Sequence, residues 1–173
     1  ALTQAALAYL GLDPDSKDTG DLDKAVEVLM RIRPYVRKWQ SSGYIDALAN
    51  GDACLVFGYS GDIKQAASRA EEAGRGVRVE YAIPTEGAQV WIDAWAIPAD
   101  APNAANAHKF LDFVLRPEIA AQNTNFIGYA NGVPESLAMI RPEIRDDPTV
   151  YPAAEIRQRL YAITPADRSY ERR

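Results

Sequence analysis

Ala53-Cys54-Leu55-Val56-Phe57-Gly58-Tyr59-Ser60-Gly61-Asp62-Ile63-Lys64-Gln65-Ala66 is the stretch on which the fold turns. Residues 53–59 form a short apolar run containing β-branched and aromatic side chains, which favours a buried strand over a helix. The run ends in an aromatic, turns through small residues and enters a helix expected over about 62–72, with Gly74 placed to stop it. A strand feeding directly into a helix is the building unit of α/β folds.

The alternation continues on both sides. Upstream, the pattern predicts a helix over 3–10 ended by Gly11 and Pro14, then a polar loop over 15–20. A second helix is expected over 22–34, capped by Asp21 or Asp23, with Leu22, Ala25, Val26, Leu29, Met30 and Ile32 at helical spacing. Residues 35–39 alternate like a short strand, and Ser41 or Ser42 is placed to cap a helix over 44–51. Downstream, 77–84 and 86–100 alternate as strands, while 105–117 and 117–128 read as helices. Residues 129–136 read as a loop, and 134–140 and 152–163 as the last helical pieces. The class is α/β with at least partly parallel sheets. The absence of a Gly/Ser linker suits two lobes joined by crossing strands.

Composition narrows the chemistry. A net charge of −5 gives no support to nucleic-acid binding, which needs a basic surface, and is compatible with a cationic ligand. The single cysteine and single histidine, Cys54 and His108, leave no Cys/His zinc site. Cys54 reads as a small buried thiol, and His108 as a surface or boundary residue of an amphipathic helix. No stretch approaches the ~20 apolar residues of a membrane span. The N-terminus lacks a basic leader region and already looks helical, so the chain is expected to be mature or to begin mid-protein. No glycine pattern matches a nucleotide-binding loop.

Three places remain where a ligand could be held. Tyr59 and Asp62 lie at the carboxyl end of the 53–59 run, where α/β sheets gather ligands; an ordinary strand end and helix cap would look the same. Trp91 and Asp93, two apart on an expected strand, would share a face. An aromatic plane beside a carboxylate suits an amine, through cation–π attraction and a charge-assisted hydrogen bond. A Trp packed at a sheet edge with a solvated Asp fits that pattern as well. Tyr129, at the exit of a helix, could wall a pocket or simply pack.

The blocks 5–11, 42–52, 57–66, 83–101, 110–121, 129–136 and 141–161 together resemble the C-terminal half of putrescine-binding periplasmic proteins of bacterial polyamine ABC transporters. The resemblance covers nearly the whole chain. It implies a type II periplasmic-binding-protein fold, present here in part, with two lobes closing on a ligand cleft. It implies a second-lobe segment over 1–70, a return through the first lobe over 71–128, and a second-lobe segment over 129–173. It also implies a periplasmic, non-catalytic receptor that delivers putrescine, or cadaverine or spermidine, to a membrane permease. The ligand set it carries over is Tyr59, Asp62, Trp91, Asp93 and Tyr129, with no metal and no cofactor. Tyr59 departs from the tryptophan frequent at that position, and indole is the stronger cation–π partner. The family's N-terminal half, with an acidic residue just ahead of Ala1, is expected as a missing partner. A spermidine-preferring binder is the alternative within this class, and a glycosidase-like hydrolase using Asp62 and Asp93 the alternative outside it.

Overall fold

A computed structural model describes residues 2–165. The described chain forms two compact units, each gathered from separated segments.

The first unit comprises residues 2–39, 83–92 and 153–165. Helix α1 (Leu2–Tyr9) packs on α2 (Thr19–Ile32), burying Ala6, Leu7 and Ala25, with Leu12, Val28 and Leu29 packed against them. Gly11, at φ +69°, reverses the chain after α1 so that the Leu12 N–H reaches the Leu7 carbonyl at 3.0 Å. That reversal carries Leu12 back onto the core. The cap of α2 is Asp18, not Asp21 or Asp23. Its backbone is extended, and its carboxylate accepts hydrogen bonds from the Gly20 and Asp21 N–H groups at 2.8 and 3.1 Å. The helix therefore begins earlier than the apolar pattern alone indicates.

Strand content is lower than the alternation predicts. Strand β1 (Ala88–Gln89) pairs in parallel with β2 (Leu160–Tyr161), Ala88 opposite Leu160, and the Val90 N–H extends the pairing to the Tyr161 carbonyl. Gly87 allows this approach, because a Cβ there would lie 2.1 Å from the Arg159 carbonyl oxygen. The expected helix over 152–163 is a single turn, α8 (Ala154–Arg157), before its chain is taken up as β2. Residues 35–39 form no strand: Pro34 lies in a 3₁₀ turn (Arg33–Tyr35), and no described strand pairs with residues 36–39. The end of the unit is clasped by Asp15, which accepts from the Thr164 N–H and hydroxyl at 2.9 and 2.7 Å and pairs with Lys17 at 2.8 Å.

The second unit comprises residues 40–82 and 93–152. It contains α3 (Tyr44–Ala49), α4 (Ser60–Ala73), α5 (Ala104–Val114), α6 (Pro117–Ile127), a 3₁₀ helix (Pro134–Met139) and α7 (Pro142–Arg145). Tyr44 and Leu48 of α3 bury against Ile63 and Ala66 of α4, and Ala53, Val56, Val79 and Tyr81 close over them. Each large side chain so buried contributes roughly 1.5–3 kcal/mol. Gly74, at φ +61°, ends α4 as expected. Gly43 rather than Ser41 or Ser42 precedes α3, at φ +81°, and makes no side-chain capping bond.

The run 53–59 makes no ladder among the described residues, and it is not buried. Leu55 is 93% exposed, and Cys54 is exposed as well, contrary to the buried thiol expected. Ala53 and Val56 alone of the apolar side chains in 53–57 face the core. A strand is stabilised only by a neighbour on its hydrogen-bonding edge, and this stretch has none here. The same holds for 77–84 and for 91–98. His108 lies exposed on α5, as its position predicted.

Candidate functional site

Asp62 stands in the first turn of α4, where the exposed N–H groups of the helix favour a negative charge. The residue in the capping position is Tyr59, whose side chain makes no capping bond. Asp62 does not serve as the cap either: its carboxylate is the acceptor for two phenols. Tyr44 donates its hydroxyl to Oδ2, and Tyr129 donates to Oδ1 at 3.2 Å.

The sequence makes room for both rings with glycine. A Cβ on Gly58 would lie 2.8 Å from the Tyr44 ring, and one on Gly61 would lie 2.0 Å from the Tyr129 ring. Gly58 and Gly61 thus form two notches, one on each side of Tyr59 and Ser60. Tyr44 is anchored from behind, since it belongs to the buried face of α3 and is only 6% exposed. Tyr129 is set by the turn that ends α6. Gly128 takes φ +72° to close the helix. Asn131 then ties the loop down: its amide donates to Thr124 Oγ1 at 2.9 Å, and its Oδ1 accepts from the Val133 N–H and the Ser136 hydroxyl. Thr124 and Ser136 are fully buried, so the loop carrying Tyr129 is fixed by a satisfied polar network.

The electrostatics are set by this packing. Burial and the neighbouring Asp62 carboxylate push the Tyr129 phenol up to about 12, and push Tyr44 higher still. The backbone N–H groups of Asp62 and Tyr59 oppose these shifts without cancelling them. Both tyrosines are therefore neutral donors at any physiological pH. None of the ion pairs among the described residues involves Asp62. Its near neighbour Lys64 is engaged elsewhere, paired with Asp147. Burial works to raise the Asp147 pKa, but Lys64 and Thr149 outweigh it and hold the group below the usual carboxylate range. The result is a partly buried carboxylate, held by neutral groups, whose charge no described side chain neutralises.

Of the residues expected at the site, Asp62 and Tyr129 are brought into contact, and Tyr59 stands half-exposed immediately before α4. Trp91 lies in the first unit, half-exposed, and Asp93 in the second, exposed. The strand that was to place both on one face stops at the Val90 pairing, so no sheet imposes that alternation. Tyr44 was missed by sequence reasoning. Its block was legible as a helix, but its ring opposite Gly58 depends on how α3 packs on α4, for which local spacing carries no signal. Among the described residues no cluster of His, Cys, Asp and Glu has the arrangement of a metal site, and no helix is long and apolar enough to cross a membrane.

Over 159 residues the chain is 46% identical to the putrescine-binding periplasmic protein SpuD of Pseudomonas aeruginosa, covering 92% of this chain and 43% of that protein. Over 167 residues it is 40% identical to the putrescine-binding periplasmic protein PotF of Escherichia coli, covering 96% of this chain and 45% of that one. The chain thus spans less than half the length of these curated relatives. Its fold matches a crystal structure of the spermidine/putrescine ABC transporter substrate-binding protein PotD from Streptococcus pneumoniae, with a TM-score of 0.84. That match covers 98% of this chain and 51% of the other at 24% identity, and it carries the fold alone. The fold is that of a periplasmic solute-binding protein, present in part. Residues 1–153 match the family model for bacterial extracellular solute-binding proteins, and the chain belongs to that family.

Proposed function

We propose that this chain is part of a periplasmic receptor that captures putrescine or a related polyamine and delivers it to the permease of an ABC transporter. The observation that carries the reading is Asp62, a carboxylate held on both oxygens by phenols and left without a protein cation among the described residues. A diamine is two ammonium charges on an apolar spacer, and burying either end without a counter-charge is costly. Asp62 supplies one counter-charge and Asp93 the other. Tyr59, Trp91 and Tyr129 supply aromatic faces for the ammonium groups and the methylene chain. The similarity to two putrescine-binding proteins supports the same ligand class.

In this reading the site binds and does no chemistry. The relatives that the chain matches are named as binding proteins, not as hydrolases. The hydrolase alternative therefore has no support. In this reading the rest of the cleft is supplied by a further half of the protein, since the chain spans less than half the length of its relatives. We place the passages between lobes at 39/40, 82/83, 92/93 and 152/153, where the compact units change, in preference to 70/71 and 128/129.

Calorimetric titration of the full-length protein with putrescine, cadaverine and spermidine tests this. The reading expects saturable one-to-one binding with putrescine or another of the three preferred. Absence of heat with all three, in folded protein, overturns it. Spermidine bound most tightly would move the assignment to the triamine.

A further inference from the structure

We propose that Tyr44 is a positioning residue for ligand binding: from the core it fixes the Asp62 carboxylate so that the remaining lone pairs face an incoming ammonium. This rests on the polyamine reading above. Tyr44 is unlike the other aromatics at the site in being buried, and it is therefore not offered as a ligand contact. Its ring is locked between α3 and α4, in the notch that Gly58 leaves and against Ile63. Its hydroxyl takes Oδ2 while Tyr129 takes Oδ1.

An aspartate carboxylate turns about only two side-chain bonds, and a phenol donor on each of its oxygens fixes where those oxygens point. Each oxygen has a second acceptor site, so the pair can still take an ammonium hydrogen bond. An acceptor fixed before the ligand arrives has no orientational freedom left to lose on binding. Of the two donors, Tyr129 is only half-buried, whereas Tyr44 is buried in the core between α3 and α4. Tyr44, on a packed helix, is the rigid reference. The Gly58 and Gly61 notches make this arrangement possible, since a methyl at either would displace a ring.

The test is a double-mutant cycle on putrescine binding by calorimetry, in the full-length protein, with Tyr44→Phe, Asp62→Asn and the pair. Tyr44→Phe keeps the ring in its notch and removes only the hydroxyl. It is expected to weaken binding about tenfold or more, the usual effect of losing a hydrogen bond to a charged group. In the Asp62→Asn background the same substitution is expected to change affinity by less than about twofold, because Tyr44 acts through Asp62 alone. A merely structural tyrosine would weaken binding equally in both backgrounds, and that result overturns the proposal. So does a Tyr44→Phe protein that binds within about twofold of wild type while Asp62→Asn does not, an outcome that leaves the polyamine reading standing. Wild-type protein that binds no polyamine overturns both. A ligand-free crystal structure of Tyr44→Phe gives an independent arm: the Asp62 carboxylate is expected to turn from its present orientation, and an unmoved carboxylate contradicts the proposal.

Discussion

Two aspartates, one in each unit, show how the same side chain is put to different uses. Asp15 in the first unit accepts hydrogen bonds from Thr164 and pairs with Lys17, which itself reaches the Thr164 carbonyl at 3.0 Å. Its charge is answered where it stands, and the product is a clasp on the chain after β2. Asp62 in the second unit is held as firmly, but by two phenols. Phenols orient a carboxylate without cancelling its charge. In the proposed reading, the structural acid Asp15 and the binding acid Asp62 differ less in burial than in whether their partners are cationic.

That contrast can be broken most sharply by substitution. Asp62→Asn is expected to cost putrescine affinity about a hundredfold or more, the scale for removing one partner of a desolvated, hydrogen-bonded charge pair. Asp15→Asn is expected to leave affinity within about twofold and to lower the unfolding temperature instead. Calorimetry and thermal melts on the two variants check both halves, and equal effects on binding would erase the distinction. Asp93→Asn should weaken binding by a large factor too, since it leaves the second ammonium without a counter-charge; an unchanged dissociation constant would remove Asp93 from the site. Trp91→Ala comes next, with a loss of roughly 0.5–2 kcal/mol of binding from the missing aromatic face. No change on titration would place Trp91 outside the pocket.

The smallest effects are on pH, and the two regions differ in sign. Lys17 and the Thr164 donors hold the Asp15 carboxyl down at about 2, below its value in an unfolded chain. The clasp therefore contributes fully above the unfolded carboxylate value near pH 4 and is lost as pH falls through about 2. Amide exchange of β2 should rise over that window, and less so in Lys17→Ala. At the Asp62 site the tyrosines titrate upward: Tyr129 is raised to about 12 from a usual value near 10. Its contribution is complete below about pH 10 and is lost as pH rises through about 12. Tyrosinate absorbance should show the ionisation of Tyr129 and Tyr44 delayed relative to unfolded chain, and Asp62→Asn should reduce the delay.

How much was legible in the sequence depends on how far each interaction reaches. Helix α4, its Gly74 stop and the carboxylate in its first turn were legible because a helix closes its hydrogen bonds four residues away. The strands were not. Residues 53–59 carry strand-like side chains, yet a ladder needs a neighbour from elsewhere in the chain, and only β1 and β2 find one among the described residues. The α2 cap was misplaced because Asp18, Asp21 and Asp23 all qualify by type; Asp18 has the extended backbone that turns its carboxylate onto the helix end. Asp62 was singled out by its place at the end of the 53–59 run and Tyr129 through the resemblance, and the structure joins the two by a hydrogen bond. The buried donor Tyr44 was not legible, because Gly58 and Tyr44 are fourteen residues apart and meet only when α3 packs on α4.

The most direct test of Asp62 as an ammonium anchor is a crystal structure of the full-length protein with putrescine bound. The account predicts one ammonium nitrogen within about 3 Å of an Asp62 oxygen, with Tyr44 and Tyr129 still donating to that carboxylate. Putrescine bound with both nitrogens held by other residues, and Asp62 bonded only to its two tyrosines, would contradict it.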